Sequence, residues 1–210
     1  MGIKANRTRR KWQDYSGLNA GTAEQSFYSV FTNAFKETDF QIIPKPAIFN
    51  NIYVKIKLNK KHLSEIYKPK GGIKKHGILP DYAIKNIKTG KTLFVEVKRQ
   101  DGWVESGKRL DGRGNAHERS CKFFTPGLMK ILRAEGKLGD DILPFWTVFQ
   151  GNITRDPCRV REITCWYDEH IAHYYFWRDS KNPALLLKHF NKYLKHLLLY
   201  GLLFVFFSNI

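Results

Sequence analysis

The chain is short of acid. It has 19 aspartates and glutamates against 36 lysines and arginines, a formal net charge of +17 over 210 residues. A folded domain with that excess faces a polyanion, nucleic acid first; composition alone also allows a basic surface with no specific partner. Cysteine is scarce too. Cys121, Cys158 and Cys165 form no CxxC pair and leave an odd count, which excludes a disulfide framework and a structural zinc and fits a reducing cytoplasm. Cys158 and Cys165 are spaced to share a helix face, but two thiols alone make a poor metal site. The N-terminus, MGIKANRTRRKW, has no apolar core of a signal peptide, and position 6 lacks the Ser or Thr of a myristoylation signal. No apolar run reaches the ~18–20 residues that span a bilayer, so no membrane partner is expected. Aromatic residues, in contrast, are plentiful, with 15 Phe, 10 Tyr and 5 Trp. They argue against disorder and for one domain over 1–210 with a real core.

The stretch that organises the rest is Pro80 to Lys98, PDYAIKNIKTGKTLFVEVK. Tyr82 to Ile87 alternates weakly, Lys88-Thr89-Gly90-Lys91 carries turn chemistry and Thr92 to Lys98 alternates strictly, so the stretch reads as a hairpin. Side chains alternate along a strand. Leu93, Val95 and Val97 therefore share one face, and Phe94, Glu96 and Lys98 the other. Pairing with the first strand brings Asp81 beside Glu96 and Lys98. Two carboxylates converging with one ammonium is what Mg²⁺-dependent phosphodiester hydrolysis needs. Hard oxygen ligands hold the ion, the ion acidifies water and neutralises charge, and a lysine orients the water and stabilises the transition state. The same short pattern also occurs as a solvated charge pair on a strand, and the hairpin alone leaves both readings open.

The remaining elements follow in order. Residues 1–20 form a basic N-terminal arm, with Arg7, Arg9, Arg10 and Lys11 clustered; folding against phosphates and simple fraying are equally open. Thr22 to Gln25 has the form of a capping box. It opens a helix whose stripe of Phe27, Val30, Phe31, Ala34 and Phe35 predicts a core face. Glu24 at its start is read as a capping or first-turn charge, with an approach to a metal as the other possibility. Pro44 and Pro46 interrupt the chain, Ile52 to Leu58 alternates as a strand, and a short helix is expected around Lys61–Tyr67. The loop KPKGGIKKHG that follows suits either DNA backbone or solvent. Thr125-Pro126 starts a helix with Gly136 as its C-cap. Ile142 to Gln150 predicts the next strand, Asp156-Pro157 caps a helix carrying Val160, Ile163 and Tyr167, and His173 to Arg178 predicts an edge strand. His170 and His173 lack an acidic or cysteine partner and are read as partly buried rings. A last helix is expected from Pro183 to Leu199. The apolar tail over 195–210 is atypical; burial against the domain, burial against a dimer partner and an altered reading frame all account for it.

Between the hairpin and the Thr125 helix lies RQDGWVESGKRLDGRGNAHERSCK. Residues 101–114 contain four glycines and three basic residues and are expected as a loop. A helix is predicted from Asn115, with Asn as N-cap and Glu118 at its third position. Free N–H groups at a helix start favour a phosphate. Asn115 can pair bidentately with adenine, Arg113 or Arg119 with guanine or phosphate, and the small Ala116 permits close approach to a base edge. On the residues alone, Asn115 as a plain cap and Arg119 in a plain ion pair serve as well.

PD…EVK and GRGNAHERSCK together resemble the MunI/EcoRI family of type II restriction endonucleases. The likeness runs from about Trp12 to about Leu194 and is densest in KRQDGWVE (98–105), GRGNAHERSCK (112–122), FTPGL (124–128), LPFW (143–146), ITRDP (153–157), RVREIT (159–164) and WYD (166–168). The segment GNAHER directly after the hairpin is its most specific part. The resemblance implies a PD-(D/E)XK restriction-endonuclease-like fold of class α/β, a mixed central β-sheet flanked by α-helices. It implies a Mg²⁺ cofactor held by Asp81, Glu96 and the carbonyl of Val97, with Lys98 serving the attacking water. It also implies that Arg113, Gly114, Asn115, Ala116, His117 and Arg119 form the DNA-binding segment. Asn115, Ala116, His117 and Arg119 would read a central AATT and Arg113 the outer pair. A homodimer on double-stranded DNA, in the cytoplasm of a bacterium and accompanied by a cognate DNA methyltransferase, completes the expectation. His117, where EcoRI has Ile, and Arg113 place the chain on the MunI side of the family, for which C^AATTG with four-base 5′ overhangs is expected.

Two other classes are open. An idle DNA-binding protein would gain nothing from two carboxylates beside phosphate, and a repair or junction nuclease of this fold would not need the GNAHER cluster.

Overall fold

The computed structural model describes residues 2–67, 76–102 and 117–199, with backbone alone for 2–17. Its centre is a five-stranded sheet in the order β1 (Phe40–Pro44), β2 (Tyr82–Asn86), β3 (Thr92–Arg99), β4 (Phe145–Gln150), β5 (Tyr174–Phe176). The first three strands run antiparallel to their neighbours, whereas β3–β4 and β4–β5 are parallel. The sheet is mixed, as expected.

β3 is buried from Thr92 through Val97. A strand covered on both faces reads as a nearly continuous apolar run, and TLFVEV does so apart from Glu96. On one face Leu93, Val95 and Val97 pack with Phe27 and Phe31 of α1 (Gly2–Ala34), with Trp146, and with Leu186 and Phe190 near the C-terminus. On the other face Phe94 packs with Phe123, Phe145, Leu132 of α3 (Pro126–Gly136), and Ile163 and Tyr167 of α4 (Pro157–Tyr167). Each fully buried Leu, Val or Phe contributes roughly 1.5–3 kcal/mol, so β3 is the best-anchored strand of the sheet.

The hairpin turn closes as its residues suggest. Asn86 Oδ1 accepts from the N–H groups of Lys88 and Thr89 at 2.9 and 3.2 Å, and Gly90 sits at φ +72°, where a Cβ is disfavoured. Helix α3 lies close on β3. A Cβ on Gly136 would come 2.5 Å from the Thr92 carbonyl oxygen.

Several expectations are corrected. Thr22 opens nothing: α1 already runs from Gly2, and the Thr22 hydroxyl donates back to the Leu18 carbonyl. Ala34 is exposed, although Phe27 and Phe31 form the core stripe. Ile52 to Leu58 is not a strand. Residues 51–55 are turn, and Val54, Ile56 and Leu58 are exposed, because alternation without a neighbouring strand to bond gives no sheet. The strand that was overlooked is β1, FQIIP, an antiparallel edge beside β2 that ends at Pro44, where proline is tolerated. The helix expected from Asn115 is a 3₁₀ helix over Glu118–Phe124. The left-handed residue ending α3 is Lys137 (φ 53°), not Gly136. The final helix breaks into α5 (Pro183–His189), a π turn (Phe190–Leu194) and a 3₁₀ turn (Lys195–Leu198). Helix α2 (Lys60–Glu65), α4 with its Asp156 cap, and edge strand β5 fall where they were expected. The basic loop from residue 68 to 75 and the tail from residue 200 lie outside the described residues. Among those described, no helix is long and apolar enough to cross a membrane.

Candidate active site and DNA-reading region

The register of the sheet assembles the site. Tyr82 stands opposite Val95, so Asp81, one residue earlier, comes to the Glu96 end of β3. There its side chain takes the place of a strand partner: Asp81 Oδ2 accepts the Val97 N–H at 2.8 Å, while its own carbonyl accepts from the Lys45 N–H at 2.9 Å. Alternation aims Glu96 and Lys98 to the same face. The Lys98 ammonium pairs closely with Glu96 Oε1 and lies 3.7 Å from Asp81 Oδ2 and 3.5 Å from the Val97 carbonyl oxygen. Asp81, Glu96, Val97 and Lys98 thus converge on one point at the end of β3.

The electrostatics are those of a half-neutralised site. Glu96 is 4% exposed, and burial drives its pKa up; Lys98 opposes the rise and Asp81 adds to it. For Lys98, burial favours the neutral amine, but Glu96 and Asp81 outweigh it and hold the pKa above that of an ordinary lysine. Glu96 Oε2 is buried and accepts no hydrogen bond. An orphaned carboxylate oxygen costs ~1–3 kcal/mol or more, and a hard cation is the partner that such an oxygen suits. Oxygens of Asp81, Glu96 and the Val97 carbonyl all stand around the same ammonium and fit the donor set for Mg²⁺. Among the described residues no group of three or more His, Cys, Asp or Glu side chains is placed to hold a metal. Two carboxylates and a carbonyl, with water for the rest, are nonetheless what Mg²⁺ commonly takes.

Two further charged groups bear on the site. Glu24 lies inside α1, not at its start. Burial raises its pKa first and Asp81 second, with Lys45 and Lys98 opposing, so its carboxyl belongs to the same field. Its backbone carbonyl accepts the Tyr82 hydroxyl at 2.9 Å. Lys122 feels burial, which lowers its pKa, and the opposing pull of Glu96; it brings a second cation near the carboxylates from the 3₁₀ helix.

With 48% identity over 198 residues, 93% of this chain and 98% of the relative, the sequence is similar to the type II restriction enzyme MunI of a Mycoplasma species. The family described as type II restriction enzyme MunI matches residues 1–199. The chain belongs to the MunI family of type II restriction enzymes. A solved MunI restriction endonuclease in complex with cognate DNA superposes with a TM-score of 0.75 at 48% identity, over 89% of this chain and 96% of that one. The mixed sheet with its flanking helices is accordingly the PD-(D/E)XK restriction-endonuclease-like fold of that MunI structure.

Against this MunI-family frame, the reading segment is only partly visible. Arg113, Gly114, Asn115 and Ala116 lie outside the described residues. Arg119 is exposed on the 3₁₀ helix. His117 is not at the surface at all: it is fully buried. Its Nδ1 lies 3.1 Å from Gln100 Oε1, and its Nε2 lies 3.3 Å from Glu162 Oε2 and 3.0 Å from Arg159 Nη1. Its ring stacks on Trp166 at 5.3 Å. Both ring nitrogens are engaged within the protein, which corrects the expectation of an imidazole presented to a base edge. Burial and the Arg159 charge lower its pKa, with Glu162 opposing. Gln100, Arg159, Glu162 and Trp166 were not singled out from sequence as functional. The available signal was indirect: all four fall inside the KRQDGWVE, RVREIT and WYD blocks, and Arg159 and Glu162 have the i, i+3 spacing of one helix face.

Proposed function

We propose that this chain is the endonuclease of a bacterial restriction–modification system, a cytoplasmic homodimer that hydrolyses double-stranded DNA in the presence of Mg²⁺ at a palindrome with a central AATT, C^AATTG, leaving four-base 5′ overhangs. The observation that carries the reading is the convergence of Asp81, Glu96 and Lys98 at the end of β3, with one Glu96 oxygen buried and unpartnered. Family membership supports it, and so does the net charge of +17.

In this reading Asp81, Glu96 and the Val97 carbonyl hold the ion. When bound, Mg²⁺ supplies positive charge against the phosphate oxygens and acidifies nearby water. Lys98, held as an ammonium by its two carboxylates, donates to the attacking water and to the oxygens on which charge develops. The water attacks phosphorus and the bond to the 3′ oxygen breaks, so the phosphate stays on the 5′ end. Arg113, Gly114, Asn115, Ala116 and Arg119 serve as the DNA-binding segment, with Asn115 suited to adenine and Arg113 to the outer guanine. A palindrome calls for a two-fold protein, and a methyltransferase of the same specificity must protect the host.

The test is cleavage of a plasmid-borne library of palindromes by wild type and Asp81→Asn, with Mg²⁺ and with EDTA. Double-strand cuts confined to CAATTG, dependent on Mg²⁺ and lost in the variant, are expected. Cuts at another AATT-centred site would keep the enzyme and overturn the role of Arg113. A folded protein that binds DNA and cuts nothing would leave an idle binder. In EDTA, Asp81→Asn is expected to bind DNA more tightly than wild type, since it removes a carboxylate that repels phosphate.

A further inference from the structure

The buried cluster around His117 sits between the hydrolytic strand and the 3₁₀ helix that carries Arg119. Gln100 is two residues beyond Lys98. Its backbone is fixed on both sides: its N–H donates to the Gln150 carbonyl at 3.2 Å, and its carbonyl accepts from Ile153 N–H at 3.2 Å. Its side chain reaches His117, the residue immediately before the 3₁₀ helix. From the other side α4 supplies Arg159 and Glu162, themselves paired at 2.7 Å, and Trp166 under the ring. The start of the 3₁₀ helix is closed on itself as well, because the Ser120 N–H and hydroxyl both donate to the His117 carbonyl.

This is more polar machinery than a core needs. A phenylalanine would stack on Trp166 equally well, whereas a buried polar network is stabilising only when its members are satisfied in one geometry. Such a network specifies a register rather than adding stability. From this arrangement, and resting on the function proposed above, we infer that His117 is a positioning residue: with Gln100, Arg159 and Glu162 it locks the 3₁₀ helix bearing Arg119, and hence the residues directly preceding it in sequence, to the strand bearing Lys98. Cleavage is thereby tied to correct reading, because a displacement of the DNA-reading residues is transmitted rigidly to Gln100 and on to Lys98. A misplacement of about 1 Å at a reacting group costs on the order of a hundredfold in rate.

The test measures discrimination. Single-turnover cleavage rates are determined for wild type at its preferred palindrome and at palindromes differing by one symmetric base pair, and the same ratio is measured for His117→Phe, His117→Asn and Glu162→Gln. His117→Phe keeps the stack and loses both hydrogen bonds; its ratio is expected to fall about tenfold or more. His117→Asn retains a donor where Nδ1 stands and is expected to recover part of that loss. Glu162→Gln changes a side chain that is 35% exposed, tolerates substitution structurally, and is expected to lower the ratio in the same direction. A substitution that merely unfolds a fraction of the enzyme scales both rates alike and leaves the ratio untouched. An unchanged ratio in all three variants would therefore overturn the inference and make His117 simple core. Wild type that prefers no palindrome would instead overturn the proposed function.

Discussion

His173 shows how a titratable residue can be structural in this protein and leave a measurable trace. It is buried beneath β5, its Nδ1 hydrogen-bonds the Phe145 carbonyl at 2.9 Å, and its pKa is pushed down to about 4, by burial above all. His170, His189 and His196 add like charge when protonated. The unfolded chain takes up a proton at this residue near pH 6.5 and the folded chain only near pH 4, so the unfolded state binds more protons in between. Stability is then lost as the pH falls from about 6.5 to about 4, by up to ~1.4 kcal/mol per pH unit and ~3 kcal/mol across the window. Urea denaturation of His173→Gln, which cannot titrate, is expected to show a flatter profile over that range; a profile as steep as wild type would assign the loss to other groups. The sequence placed His173 correctly as a buried ring, because no acidic or cysteine residue stands at ligand spacing. It placed His117 wrongly, for the same kind of reason. A histidine in a polar, glycine-rich stretch looks exposed, and nothing local announces that residues 42 and 45 positions later will close over it.

At the scale of elements, α4 matters more than its position far from Lys98 suggests. Its N-terminus is held by Asp156, fully buried, whose Oδ1 accepts from Cys158 and Arg159 N–H at 3.1 and 3.2 Å. Removing an N-cap costs ~1 kcal/mol, and here it also frees the turn that presents Arg159 to His117. Asp156→Ala is expected to lower the unfolding free energy by about 1–2 kcal/mol and to reduce discrimination between palindromes along with it. Urea titration and the cleavage ratio check the two parts separately; a stability loss with an intact ratio would detach α4 from reading. The Asp-Pro start of this helix, the hairpin around Gly90 and the paired faces of β3 were all legible in sequence, because each is set by local chemistry. β1 and the absence of a strand over 52–58 were not. Both segments alternate, and only the availability of a sheet edge, a tertiary fact, separates them.

For the whole molecule, the excess of positive charge sets how it meets DNA. Phosphate contacts release counterions, so affinity falls steeply with salt. Binding of non-specific duplex is expected to weaken by roughly 10³-fold or more between about 50 and about 200 mM salt. A nearly flat dependence in fluorescence anisotropy would mean that few of the 36 basic residues face phosphate. The convergence of Asp81, Glu96 and Lys98 was readable from a single hairpin, since period-two alternation and one turn suffice to bring them together. The His117 network was not, because it joins the end of β3, the 3₁₀ helix and α4 across long stretches of chain.

The parallel pairing of β3 with β4 has a historical consequence. Parallel neighbours must be joined by a long crossover, and here the crossover, residues 100–144, contains every residue assigned to reading DNA and none of those assigned to hydrolysis. Its two ends are pinned to the sheet, at Gln100 by the Gln150 carbonyl and near Gly136 by close approach to Thr92. What lies between those pins can be rewritten without shifting a single strand. A lineage built on this plan can exchange targets as a cassette while inheriting its chemistry unchanged.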